Sequence, residues 1–527
     1  MCKKKFLISF LYVSMLFLLF ALTNNLYIDT DNYNIAVIAN GLFGNNSSSL
    51  HLSALAWKFF SFLNNVFKTS DVFTLFNRTV IFMSFLSYSY FSLLKKQLNI
   101  KLFDFGLLFY ISQVLKIWSA NWTVQTAFYV FIGLVFIYKG ENKIINIIGD
   151  IYVFIGVFYR FESALLFVPF ILLIELYGYL NTKKINKKRI IILLMIYILL
   201  PLTNVVSEMI YDNKNEEIYD QTRVNILDYE IKEYKDTDLY SQGISEETYY
   251  FVRSWHFFDT DNINIDLLEK IEKSVSIKYD KLSDVHYVIN TMASFLIGNY
   301  NVTILILVII MMLISIIIKG NKLITFFSLL GFAGFLMIMY YFTGLARAEI
   351  RIWNSILFVL LMLYTCIKKE SNANNCIAMI CTVTLIVVSI LNIGNINIDN
   401  VQLAINARKD NTSKIELVEK EDGNRYYIWD TNLFTEQFEN GKLPTKYYVE
   451  HNVSSGDFYY GHNVYSTFLE NINLKNPIIN LISDEDVYYV SHSVDDIVNP
   501  YMKEHYGVEL SATGEKLGDY QLWNVIK

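Results

Sequence analysis

Val302-Thr-Ile-Leu-Ile-Leu-Val-Ile-Ile-Met-Met-Leu-Ile-Ser-Ile-Ile-Ile318, followed by Lys319 and Lys322, decides how this chain folds. As a helix this uncharged run is long enough to cross a bilayer, which takes roughly 17–25 apolar residues. Its basic end marks a side, because Lys and Arg collect in cytoplasmic loops. Similar runs recur along the chain. They explain why 54% of the 527 residues are hydrophobic and only 18% charged, against about a quarter in soluble domains. The net charge of -6 leaves no basic surface for a nucleic-acid backbone. Cys2, Cys366, Cys376 and Cys381 show no metal-ligand spacing and no disulfide framework.

Working outward from this run, the basic loops thread the rest of the chain. Lys3 to Lys5 hold the N-terminus inside, and the apolar run Phe6–Leu22 reads as an uncleaved first helix rather than a signal peptide. Span 1 (about 6–23) goes out and span 2 (about 79–94) returns to Lys95 and Lys96. Spans 3 and 4 (about 103–117 and 123–138) turn outside at Trp118–Trp122 and return to Lys139 and Lys143. Span 5 (about 144–159) exits at Arg160 and Glu162, and span 6 (about 163–180) returns to the basic loop Lys183–Arg189. Span 7 (about 190–207) exits, span 8 (about 302–318) returns, span 9 (about 323–343) exits, span 10 (about 352–367) returns to Lys368 and Lys369, and span 11 (about 376–394) exits. The expected fold is therefore a mainly α integral membrane protein of about 11 transmembrane helices, N-in and C-out, with a C-terminal extracytoplasmic α/β domain. The expected division is a membrane domain over 1–395, with outer loops at about 24–78 and 208–300, and an outer domain over 396–527. Asn34–Phe43 and Leu50–Phe67 read as helices along the outer interface. His286–Tyr300 reads as a further interfacial helix or as the outer part of span 8.

The tail has a different texture. Tyr426–Trp429, Lys446–Val449 and Val487–Val490 are rich in aromatic and β-branched residues and read as strands. Val464–Leu474 and Ser493–Tyr506 read as helices, and Gly514–Ile526 as a closing hairpin.

In this threading four polar groups share the outer rim, where charges are costly and so point to a site. Asp29 and Asp31 follow span 1 and could supply a general base with a partner that tunes it or holds a cation. The alternative is that they are solvated charges at a helix end. Arg160 and Glu162 interrupt an apolar hairpin; a guanidinium there suits an anionic headgroup, with Glu162 orienting it, or the two form a local ion pair. Arg347, Glu349 and Arg351 cap spans 9 and 10, with the two cations spaced to share a helix face around a diphosphate, or snorkelling to headgroups. Tyr249–Asp261 mixes aromatics with Arg253, His256, Asp259 and Asp261, which suits sugar stacking and hydrogen bonding, or an amphipathic helix packed on the membrane domain. Trp118, Asn121 and Trp122 read as an interface belt. The sequence carries no P-loop, no other phosphate-cradling Gly-rich loop and no Ser/His/Asp pattern.

This layout resembles the GT-C superfamily of polytopic glycosyltransferases, which use polyprenyl-phosphate-linked sugars. An uncleaved first span, acidic residues in the first outer loop, two interfacial helices, a large later outer loop and an outward C-terminal α/β domain carry the resemblance. The layout is also similar to membrane proteins of Gram-positive polysaccharide clusters. In those, an Asp-rich start to the first outer loop precedes a Gly-containing segment, here Asn40-Gly41-Leu42-Phe43-Gly44. The first outer loop has no adjacent Asp-Asp or Glu-Asp pair, and no Trp-Trp-Asp signature follows. The resemblance implies Asp29 or Asp31 as the acidic catalytic residue and Arg160, Arg347 or Arg351 near the lipid phosphate. Glu162, Glu349, Arg253, His256, Asp259 and Asp261 would support them. It implies a polyprenyl-phosphate sugar donor, a glycan or lipid-linked acceptor, membrane lipid as surroundings and a bacterial plasma-membrane location; a divalent cation stays open. Two other classes share the rim charges. A repeat-unit polymerase usually lacks a folded tail. A transporter or flippase usually has mid-membrane polar residues and repeats.

Overall fold

The computed structural model describes residues 2–23, 30–43, 54–67, 72–115, 121–211, 214–228, 231–275, 282, 284–345, 349–367, 375–394, 425–431, 446–456, 460, 462–494 and 497–525. The first part is helical: α1 (Cys2–Thr23), α2 (Thr30–Ala39), α3 (Ala54–Val66), α4 (Val72–Leu94), α5 (Leu98–Val114), α6 (Trp122–Lys139), α7 (Lys143–Tyr159), α8 (Phe161–Leu165), α9 (Val168–Thr182) and α10 (Lys187–Tyr211). There follow α11 (Lys214–Leu227), α12 (Glu246–Arg253), α13 (Ile265–Val275), α14 (Val285–Gly298), α15 (Tyr300–Lys319), α16 (Lys322–Gly344), α17 (Ile350–Ile367) and α18 (Asn375–Gly394). Among the described residues five helical stretches are long and apolar enough to cross a membrane: Trp122–Lys139, Phe161–Thr182, Tyr300–Lys319, Lys322–Gly344 and Ile350–Ile367. The other expected spans are helices as well. Large apolar side chains such as Leu172, Ile198, Ile318, Met337 and Ile390 point outward, which suits a surface that meets lipid.

Local chemistry ends these helices. Asn121, Asn142 and Asn321 each accept a hydrogen bond from a first-turn amide of α6, α7 and α16, supplying the partner that a helix start lacks. The sequence left 286–300 as a separate helix or as part of span 8. The chain breaks at Asn299, so α14 is a helix of its own ahead of α15.

Ring and hydrogen-bond contacts give the helix directions. Tyr152 faces Ser87 (3.0 Å), and Tyr159 bonds Asn77, so α4 and α7 run antiparallel. Phe358 meets Phe128 and Phe131 (5.7 and 5.8 Å), and Cys366 lies 4.0 Å from the Leu134 carbonyl, so α6 and α17 run parallel. The ends of α4, α6 and α17 and the starts of α5, α7 and α18 therefore meet at one end of the bundle. There Lys95, Lys96, Lys139 and Asn142 line a common cavity with Thr365 and Ile377. The turn between α9 and α10 joins that end, where Arg189 bonds Glu175 through two donors (2.7 and 3.0 Å) and lies over Tyr138 at the end of α6 (4.4 Å).

The tail adds β1 (Tyr426–Trp429), α19 (Lys446–His451), β2 (Asn452–Ser454), α20 (Asn463–Asn471), α21 (Pro477–Ser483), β3 (Val487–Ser491), α22 (Val498–Tyr506), β4 (Leu510–Leu517) and β5 (Tyr520–Val525). The sheet order is β2-β1-β3-β5-β4, with β2, β1 and β3 parallel and β5 and β4 antiparallel to their neighbours. Lys446–Val449 corrects the expected strand: it is the start of helix α19. Lys446 pairs with Glu450 (3.3 Å), and Tyr447 stacks on His451 (4.1 Å). These one-turn contacts outweigh the β preference of two tyrosines. The helix expected from Ser493 starts at Val498, with Pro500 in its first turn, where its missing N–H costs nothing.

Two hydrophobic cores result. One fills the bundle from α1 to α18. The other joins α11, α12 and α13 to the tail sheet, so the segment between α10 and α14 shares one core with the C-terminal strands. Helix α2 belongs to both: Ile35, Ala36 and Ala39 face the bundle, and Val37 and Ile38 face the second core.

Candidate functional site

The site is built at the end of the bundle opposite the lysine-rich turns. Helix α7 ends there at Arg160, whose extended backbone (φ -151°, ψ 101°) turns the chain into α8. The guanidinium lies over the Trp122 ring, 4.0 Å from its centroid, and donates to the Thr123 hydroxyl. Its Nε stands 3.8 Å from Glu162, which is 74% exposed. A carboxylate that open to water contributes little. The Trp122 face and the Thr123 hydroxyl therefore orient the cation. The side chain is 28% exposed.

Helix α17 runs parallel to α6, so Ile350 and Arg351 begin at the same end as Trp122. Arg351 bonds Glu349, with both side chains about a third exposed (33% and 34%). Behind them Trp353 is buried and stacked on Phe295 of α14 (4.5 Å). Arg160 and Arg351 thus share an end of the bundle, each beside a carboxylate.

Helix α2 reaches the same end through Asn40. Its side chain donates to Ala36 O (2.7 Å) and accepts from Val72 N at the start of α4 (3.0 Å), while Asn64 of α3 donates to Asn40 O (2.7 Å). Phe43 then meets Tyr465 and Phe468 of α20 (5.2 and 4.8 Å). Asn40, Gly41 and Phe43 of the Gly-containing segment therefore close α2 and dock the tail onto the bundle. Asp31 lies in the first turn of α2. Asp29 and Arg347 fall outside the described residues.

Arg253, His256 and Asp259 sit elsewhere, in the second core. Arg253 donates to Ile226 O and Leu227 O (3.0 and 3.1 Å), tying α12 to the end of α11. Phe251 stacks on Tyr501 (3.8 Å), and Phe257 and Phe258 are buried, so these rings pack against the tail. Fully buried Asp259 accepts from Tyr501 (2.7 Å), Tyr506 (2.7 Å), Asn262 (2.9 Å) and Asn476 (3.1 Å). Burial, and then Asp259 itself, hold both phenols above the usual tyrosine range. Asp261 is exposed beside them.

Two polar groups bring together residues far apart along the chain, of which the sequence singled out His256 alone. His256 Nδ1 lies 3.0 Å from Ser455 Oγ, and Thr431 bonds both Ser455 (3.0 Å) and Trp255 O (3.1 Å). Burial pushes the His256 ring down to about 4, against a smaller opposing pull from Asp430. Thr431 and Ser455 follow the carboxyl ends of β1 and β2, where open α/β sheets usually take ligands. Here the Trp255–His256 turn fills that position. A Cβ on Gly456 would stand 2.0 Å from Trp255 O, so only glycine admits the approach. Ser455 and His256 are sealed from solvent, so this pair ties the sheet to α12 instead of presenting a nucleophile. The second group is Glu216, Asp220 and Arg223 of α11 with His462 of the tail. His462 Nε2 lies 3.3 Å from Asp220, and Arg223 bonds the same carboxylate (3.0 Å). Among the described residues no group of three His, Cys, Asp or Glu could hold a metal ion.

Comparison of the chain with models of known families, with characterised proteins and with solved structures yields no match.

Proposed function

We propose that this chain is a glycosyltransferase of the bacterial plasma membrane, moving a sugar from a polyprenyl-phosphate-linked donor to a glycan or lipid-linked acceptor on the outer face. About 11 spans hold it, with the N-terminus inside and the tail outside. The observation that carries this reading is the fixed, partly open guanidinium of Arg160, stacked on Trp122 at the end of the bundle that bears the second core. In this reading the donor phosphate meets Arg160, Arg347 and Arg351, which neutralise charge on the leaving group. Asp29 or Asp31, before and within the first turn of α2, removes the acceptor hydroxyl proton. Trp122 and Thr123 orient Arg160, and Glu349 orients Arg351. Arg253, His256 and Asp259 hold the outer unit in shape, and that unit binds acceptor.

The test is the set of lipid-linked intermediates in a deletion strain, complemented with Asp29→Asn, Asp31→Asn and the double variant. Loss of one sugar from the glycan, restored by the wild type and by neither the double variant nor one of the singles, is the expected outcome. Accumulated complete repeat units would move the assignment to a polymerase. Unchanged glycan in all three variants would end it.

A further inference from the structure

A sizeable cavity lies away from Arg160. It measures about 1010 Å³ and lies at the lysine-rich end, between α4, α5, α6, α7, α15, α17 and α18. Its wall is apolar: Phe103, Phe136, Ile145, Ile148, Met312 and Ile377 line it. Its mouth is charged. Lys95, Lys96 and Lys139 line it together with Asp104 and Glu141, which leaves a positive balance. Asp104 is buried and accepts from Lys95 (2.6 Å) and Ser92 (2.7 Å), so that pair is a built part of the wall. Lys96 and Lys139 belong to the same mouth.

A plain gap between helices would take any lipid tail. A gap with a hydrocarbon-lined interior and a cationic mouth selects an amphiphile: a chain for the wall and an anion for the lysines. The size is at the upper end of pockets that hold small ligands, roughly 300–1,000 Å³. We propose that this cavity binds a phosphate-headed lipid drawn from the leaflet on the lysine-rich side, with its headgroup between Lys96 and Lys139 and its chain along Ile145 and Ile148. Phospholipid and polyprenyl monophosphate share that chemistry.

The test uses the purified full chain, delipidated and returned to phosphatidylcholine vesicles containing either phosphatidylglycerol or undecaprenyl phosphate. Retained lipid is counted by phosphorus assay and identified by mass after repurification. The wild type should retain one of the two anionic lipids in preference to phosphatidylcholine, and the better-retained one names the source. Lys96→Glu with Lys139→Glu should lower retention at least about thirtyfold, since two cations that attract the headgroup are lost and replaced by anions. Ile148→Trp fills the wall without touching the charges and should lower retention as well, with thermal unfolding showing that the variant is folded. Retention unchanged by both variants, or phosphatidylcholine held as well as the anionic lipids, would overturn the proposal. The readout is binding, not sugar transfer, so it stands or falls apart from the proposed activity.

Discussion

Gly133 of α6 and Gly149 of α7 meet backbone to backbone. A Cβ on Gly133 would lie 2.6 Å from Gly149 O, and one on Gly149 would lie 2.7 Å from Gly133 O. Without a hydrophobic drive between helices in lipid, small residues that admit such close packing supply the attraction. We expect Gly133→Ala and Gly149→Ala each to cost about 1–3 kcal/mol by overpacking, read as a lower melting temperature of the purified chain. Gly178→Ala is the control, because nothing lies within 4 Å of its Cβ. It should leave stability unchanged or raise it slightly.

His256 should make stability fall in acid. Its ring is buried and titrates at about 4, against 6.5 in the unfolded chain. The folded state therefore resists protonation. The stability tied to neutral His256 is fully present above pH 6.5 and is lost as pH falls toward 4, a loss of roughly 3 kcal/mol in all. Unfolding curves measured across that range should show the slope in the wild type and a flatter one in His256→Gln. An equal slope in both would assign it to other groups.

Asp259 is the polar anchor of the second core. Four side chains donate to it in a place sealed from water. Asp259→Ala leaves their donors unsatisfied and should cost about 2–4 kcal/mol. Limited proteolysis should cut the outer unit of this variant faster while the bundle stays intact.

Arg160 is oriented by Trp122 and Thr123 rather than by Glu162. If it holds a phosphate, Arg160→Lys should fail to replace it, because an ammonium lacks the planar fork and the stacking. Transfer in membranes should drop at least tenfold for Arg160→Lys and for Trp122→Leu, but under twofold for Glu162→Gln. A larger loss for Glu162→Gln would reassign the role.

Orientation can be read with single introduced thiols in a chain whose own cysteines are replaced. Glu162→Cys should react with a membrane-impermeant reagent in intact cells, and Glu141→Cys only after lysis. Glu141→Cys reacting in intact cells with Glu162→Cys reacting only after lysis would reverse the proposed direction, and both reacting in intact cells would break the threading between them.

Much of the bundle was legible because a long apolar helix makes the same demand of nearly every residue in it. The helices at 122–139, 300–319, 322–344 and 350–367 follow from apolar length. The starts of α6, α7 and α16 are set by Asn121, Asn142 and Asn321, a local capping signal that apolar length alone passes over. Strands β1 and β3 were legible from their aromatic runs. The run at 446–449 misled, because contacts one turn apart within 446–451 outweighed the same propensity.

What the sequence determined by itself was a mainly helical chain with long apolar stretches, lysines gathered in alternate turns and a small sheet at the end, since composition and period act residue by residue. Which charges meet was decided by tertiary structure. The segment at 249–261 looked like a sugar platform, yet its rings close a core with strands some two hundred residues away, and Asp259 is consumed in holding them. Arg160 does stand in ion-pair range of Glu162, yet it also lies on an aromatic face and donates to a hydroxyl of the neighbouring helix, which its local sequence does not show. Packing brings distant groups into contact, and the free energy of a buried charge depends on those neighbours, which no local pattern of residues encodes.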